Sequence, residues 1–205
     1  RVTMRGTMPL LLRLISEYGA MPYDSYNAPR LNYNALAKRV ALMSAASTDM
    51  SQLARRAESL FDERIGALPL KVYMLGAEYT PEEFAHSVCM RGEYMAMTSF
   101  THHPFGEMFV LEVPDNYSDE LFYNVPVDVM MRRIETSLRN GHPVCWEGDT
   151  SEKGFSFARG VAELADDRPC TQRQRQKAFE TRRTTDDPCM ELVGIAHDEK
   201  GLRYF

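Results

Sequence analysis

The order of periodicities along the chain constrains its fold more than any other feature. Up to Leu68 the apolar residues recur at helical spacing, whereas the last third repeats at strand spacing. Helices followed by strands, instead of alternating with them, predict an α+β fold rather than a doubly wound parallel sheet. In the helical part, 1–68, Pro9 fits the first position of a helix running to about Tyr18. Gly19 is its expected stop, and Leu11, Leu14, Ile15 and Tyr18 share one face. Asn34 is the expected N-cap of the next helix, and a third is capped near Ser47 to Asp49. The mixed part, 69–205, becomes β-rich and antiparallel towards its C-terminus. "LKVYMLG" and "GEMFVLEVPDN" read as strands, and "TPEEFAHSVC" opens with a capping box from Thr80 to Glu83. Val129, Met130, Ile134 and Leu138 form the stripe of an amphipathic helix that ends at Asn140-Gly141. "HPVCWEGD", "GFSFARGVAEL", "CMELVGIAHD" and "GLRYF" read as strands, the last in a hairpin with "MELVGIA" turning at Asp198 to Gly201. The polar stretch from Asp166 to Asp187 reads as a loop plus a short helix.

The 205 residues, 44% of them hydrophobic, suffice for one large domain or two small ones with a real core. A net charge of −5 argues against a nucleic-acid partner and against an anionic membrane surface. No apolar run approaches the roughly 18 residues of a membrane span. "RVTMRGTMPLLLRLISEYG" imitates a signal peptide, but Arg13 and Glu17 interrupt it and an amphipathic helix fits better. The four cysteines, Cys89, Cys145, Cys170 and Cys189, form no C-x-x-C pair, so they give no support to a zinc or thioredoxin-type site. They leave the redox compartment open.

The P-loop, G-x-G-x-x-G, G-x-S-x-G and H-E-x-x-H motifs are absent from the sequence. Adjacent His102 and His103 on an extended segment would point to opposite sides and serve one ion poorly, so they read as structural. Cys145-Trp146 imitates a thiol-peptidase nucleophile motif. It lacks the glycine-rich approach and lies in a strand-like run, so a buried core cysteine is expected. Cys189 follows Asp186 and Asp187, whose negative charge works against a thiolate. Neither a metal nor a cofactor is expected.

Three segments in order, "NGHPVCWEGD", "GFSFARGVAEL" and "TTDDPCMELVGIAHDEKGLRYF", resemble the second half of a papain-like cysteine peptidase. "YGAMPYDSYN", "TPEEFA", "TSFTHHPF", "FVLEVPDN", "YNVPVDVMM" and "GDTSEKGFS" extend the likeness across nearly the whole chain. They resemble the bleomycin hydrolase and aminopeptidase C branch, in the form typical of Bacteroidetes. The resemblance implies a papain-like α+β fold and attack of a thiolate on a peptide carbonyl, with a histidine as ion-pair partner and acid, and an Asn orienting it. It also implies a peptide substrate, assembly as a homo-oligomer (a hexamer in this branch) and a cytoplasmic setting, with export as the alternative.

Carried over by residue, the likeness gives no intact catalytic set. The nucleophile and Asn segments would lie before Arg1 and after Phe205, so the chain is expected to be one peptidase region truncated at both ends. Pro188 stands at the expected histidine position and has no titratable group. His197, the nearest histidine in this segment, lies about nine residues further on, roughly 30 Å if extended. Glu147 is expected to line the side-chain pocket, and Asp187 and Cys189 to flank the former histidine position. Three readings follow: a fragment of a cysteine peptidase, a pseudopeptidase that binds peptides or partner proteins, or an interaction module without a site.

Overall fold

A computed structural model of the chain describes residues 6–26, 31–90, 92–151, 154–163, 170–185, 189–197, 199, 201 and the backbone of 203–204. It is a mixed α+β structure of two compact units, Arg1–Tyr94 and Met95–Phe205.

The first unit contains α1 (Met8–Tyr18), a single 3-10 turn at Tyr23–Ser25, α2 (Tyr33–Ala45), α3 (Met50–Arg64), a hairpin of β1 (Val72–Met74) with β2 (Ala77–Tyr79), and α4 (Pro81–Val88). Local chemistry sets its helix boundaries. Pro9 sits in the first turn of α1, and Asp49 caps α3 by accepting from the Ser51 and Gln52 N–H groups. Thr80 and Glu83 close a reciprocal capping box on α4. The N-cap of α2 is Asn32, not Asn34: Asn32 keeps an extended backbone, and its side chain accepts from the Ala35 N–H at 2.9 Å.

Leu10, Leu53, Leu60, Val72, Ala85 and Cys89 are the buried apolar residues of this unit. The face of α1 expected to be buried is instead open. Leu11, Leu14 and Tyr18 are exposed, and Leu10 is the residue that goes inside. Helical spacing identifies an apolar stripe but not its partner, and α1 turns Leu10 inward as its C-terminal end meets the start of α4.

The β1–β2 turn is the two-residue Leu75-Gly76, with φ of 50° and 79°. Positive φ at both positions is the I′ geometry that favours Asn-Gly. Leu75 therefore adopts a left-handed backbone while its side chain is 95% exposed and contributes little packing. Leu75→Asn should stabilise the protein by about 0.5–1 kcal/mol, a rise of about 1–4 °C in Tm by calorimetry. An unchanged or lower Tm would contradict the strain reading.

The second unit begins with a three-stranded sheet of β3 (Met97–Thr98), β4 (Met108–Val110) and β5 (Leu121–Asn124), in the order β3-β5-β4. β5 runs parallel to β3 and antiparallel to β4. Next come α5 (Val127–Arg139), β6 (Val144–Glu147), a small hairpin of β7 (Phe155–Ser156) with β8 (Val161–Ala162), and α6 (Gln172–Glu180). β9 (Cys189–Leu192) pairs antiparallel with β6, and β10 (Ala196–His197) with β11 (Arg203–Tyr204). "GFSFARGVAEL" is thus a hairpin rather than one strand, reversing through Phe157 to Gly160. Phe100, Phe109, Phe122, Val125 and Leu138 are buried apolar residues of the second unit, accompanied by buried polar Thr98, Ser99, Asn116, Asn124 and Gln176. Among the described residues no helix is long and apolar enough to cross a membrane.

Candidate functional site

Two clusters of titratable side chains form in the second unit. The first lies on the β6–β9 pair, where Glu147 stands directly opposite Cys189 and Cys145 opposite Glu191. Side chains two apart on a strand share a face, so Cys145 and Glu147 of β6 and Cys189 and Glu191 of β9 project together. One ligand atom from each of Cys145, Glu147 and Cys189 lies within 4.8 Å of the other two. Cys145 and Cys189 are both exposed free thiols. The expectation that Cys145 is a buried core residue is therefore corrected. Among the described residues the pair has two strands, and the two cysteines on this face are exposed.

Although Cys145 is exposed as a residue, its sulfur is partly desolvated, and this is the main reason its thiol pKa is pushed up to about 12. A hydrogen bond with Cys189, the charge of that neighbour and the carboxylates of Glu147 and Glu191 act in the same direction. Burial, helped by Glu93, likewise raises the thiol pKa of Cys89. Both shifts work against thiolate chemistry at neutral pH.

Asp187 and Pro188 lie outside the described residues. The backbone on either side of them is held. The Thr185 N–H donates to the Asp149 carboxylate at 2.9 Å, and Cys189 is in register with Glu147. Asp149 also accepts from the Ser151 N–H and hydroxyl.

The second cluster corrects the reading of "HHPF". His102 and His103 do not diverge; their ring centroids are 4.6 Å apart and both reach Glu112. The segment bends rather than extending, so the alternation of a strand does not apply. The bend is clamped by Asn124, which is fully buried. Its Oδ1 accepts from the Phe100 N–H, and its Nδ2 donates to the carbonyls of Phe100, His103 and Pro104.

α6 closes this network from the far end of the sequence. Gln172 Oε1 accepts from the Ser99 hydroxyl and the Val127 N–H, and Arg175 Nε donates to the Ser99 carbonyl. The Arg175 guanidinium lies 4.9 Å from the Phe100 ring centroid, and its burial lowers its pKa. Gln176 Oε1 accepts from the Thr101 N–H at 2.7 Å, which leaves its Nε2 to face His102 Nδ1 at 3.0 Å.

That arrangement makes His102 Nδ1 an acceptor and puts the ring proton on Nε2, which donates to Glu112. A ring held as this donor offers no Nε2 lone pair to a metal. His102, His103 and Glu112 thus form a hydrogen-bonded knot, stacked on Phe179 and Phe109. Burial raises the Glu112 pKa, but the His103 and His102 hydrogen bonds outweigh it, and the net shift is downward. Sequence reasoning missed Asn124, Gln172 and Gln176. Only the four-residue spacing of the two glutamines within "QRQRQ" hinted at a shared helix face.

No family model matches the chain, and no curated protein matches it. A solved structure matches along 97% of the chain: PepW from Lactobacillus rhamnosis HN001, with a TM-score of 0.64 and 13% identity. The chain shares a fold with PepW. The match covers 54% of PepW, so this chain spans about half the length of that protein. At 13% identity the likeness concerns the backbone, and side-chain chemistry has to be argued from the residues present here.

Proposed function

We propose that the chain is part of a papain-like cysteine peptidase scaffold of the aminopeptidase C and bleomycin hydrolase branch, and that its β6–β9 pair forms the wall of a peptide-binding cleft. The observation that carries this reading is the antiparallel pairing of β6 with β9. The pairing sets Glu147 opposite Cys189, the residue that follows position 188, where the sequence resemblance expects a histidine. The fold shared with PepW supports the same reading. Glu147 would meet side chains of the bound peptide, and Asp187 and Cys189 would border the reacting position. In proteins of this branch that carry the thiolate and imidazole, the reaction is peptide-bond hydrolysis. By the same resemblance the assembly is a homo-hexamer.

A second reading, a catalytically silent peptide-binding module, rests on Pro188. Proline can neither form an ion pair with a thiolate nor protonate a leaving amine, and Cys145 remains a protonated thiol at neutral pH. Incubated with aminoacyl-coumarin substrates, the 205-residue chain should release no fluorophore. Release that a thiol alkylator abolishes would overturn the silent reading. Trp146 projects from the opposite face of β6, in register with Met190, so binding is read by calorimetry. Short peptides with a basic residue should bind saturably, and Glu147→Gln should weaken them by up to about fivefold. A wild type that binds no such peptide would remove the cleft proposal.

A further inference from the structure

We propose that Cys145, Cys189 and Glu147 form a binding site for a thiophilic divalent cation, of which zinc is the type. The proposal rests on the side chains of the β6–β9 pair and not on the peptidase reading. Three donors of the right chemistry, two sulfurs and a carboxylate, converge within 4.8 Å of one another. With a Zn–S bond of about 2.3 Å, two thiolates on a tetrahedral ion stand about 3.8 Å apart, inside that limit. Two thiolates and one carboxylate leave a fourth position for solvent, or for Glu191 opposite Cys145 on the same face. On binding, the two thiol protons pass to solvent and two S–metal bonds form, so no oxidant or reductant is needed.

Strand register favours a bridging ion over a disulfide. Glu147 is the direct partner of Cys189, so Cys145 meets Cys189 only on the diagonal. Diagonal neighbours have Cα atoms about 7–8 Å apart. A disulfide wants about 4.4–6.8 Å, and an ion between the sulfurs spans the difference. Exposure of both cysteines gives the cation an entry path. The His102–His103–Glu112 cluster has comparable spacing but lacks this capacity, because Gln176 fixes His102 as a donor.

The test uses the whole chain, reduced and metal-free. Cobalt(II) should bind one to one and give the intense near-ultraviolet thiolate-to-cobalt charge-transfer band, which zinc should abolish by displacement. Cys145→Ser and Cys189→Ser should each lose the two-thiolate spectrum. They should also weaken zinc, measured against a chromophoric chelator, by more than the roughly 10–100-fold that loss of an outer partner costs. Glu147→Gln should keep the band and bind more weakly, whereas Cys89→Ser and Cys170→Ser should behave as wild type. If a serine variant fails to fold, the wild type still decides. Zinc should protect Cys145 and Cys189 from alkylation, mapped by mass spectrometry, and leave Cys170 reactive. A wild type without the band, or without that protection, would overturn the site. Either failure leaves the peptide-binding reading standing, because no peptide takes part in the measurement.

Discussion

Asn124→Ala should cost the fold about 3–4 kcal/mol and lower Tm by about 6–16 °C. The side chain is fully buried and makes four hydrogen bonds to backbone groups of residues 100–104. Alanine strands the Phe100 N–H and three carbonyls, and each group left without a partner in the interior costs about 1–3 kcal/mol unless water reaches it. The loss should be visible beyond stability. Without the clamp the 101–103 bend is no longer fixed, so the imidazole resonances of His102 and His103 should lose their separate environments against Phe179 and Phe109. Asn124→Asp, which keeps the acceptor but replaces the donor with a buried charge, should also be severely destabilised. A cost below about 1 kcal/mol in urea melts of Asn124→Ala would show that the bend is held by other contacts.

Gly19→Ala should be nearly as severe, and its effect belongs to the first unit. Gly19 ends α1 with φ 86° and ψ 178°, a region open essentially to glycine alone. A Cβ there would lie 2.7 Å from the Pro81 carbonyl carbon, 2.8 Å from its Cβ and 2.9 Å from the Glu82 nitrogen. Two of those atoms are backbone at the capped start of α4. The adjacent Ala20 N–H donates to the Pro81 carbonyl at 3.0 Å, which ties the two segments together. Backbone strain and overpacking each cost about 1–3 kcal/mol, so a combined loss of about 3 kcal/mol or more is expected. Gly66→Ala is the comparison at a positive φ without the close approach: φ is 78° there, and a Cβ would meet nothing within 4 Å. Hydrogen exchange should show α1 and α4 opening in Gly19→Ala and much less change in Gly66→Ala. Equal effects of the two substitutions would refute the close-approach argument.

Sequence legibility followed the range of the interaction. The capping box of Thr80 with Glu83, the proline-led start of α1 and the reversal after His197 are set by neighbours and were readable. The α+β order was readable for the same reason. Partners distant in sequence were not. The pairing of Val144–Glu147 with Cys189–Leu192 depends on two segments over 40 residues apart. Nothing local announces that Cys145 and Cys189 share an open face, and treating each cysteine alone made Cys145 a core residue. "THHPF" failed differently. Strand alternation does not apply to a segment whose path is dictated by a buried asparagine downstream and glutamines in a helix over 70 residues away. A polar residue at the centre of a structure carries no periodic signature, because its value lies in which backbone groups it happens to reach. Of the residues that resemblance put at the cleft, Glu147 and Cys189 face each other across one strand pair, and Asp187 lies outside the described residues.

The reach of α6 also sets a timetable. Ser99 waits for Gln172, 73 positions later, and Thr101 for Gln176, 75 positions later. At a synthesis rate of about 5–20 residues per second, the ribosome takes about 4–15 s to make the intervening chain. During that interval the strands β3, β4 and β5 exist without the helix that satisfies their surroundings. Closing so long a loop adds its own entropic delay once the helix emerges. The segment around Ser99 is thus offered to chaperones and proteases for seconds in every round of translation, and a stop codon anywhere before Gln172 makes that exposure permanent.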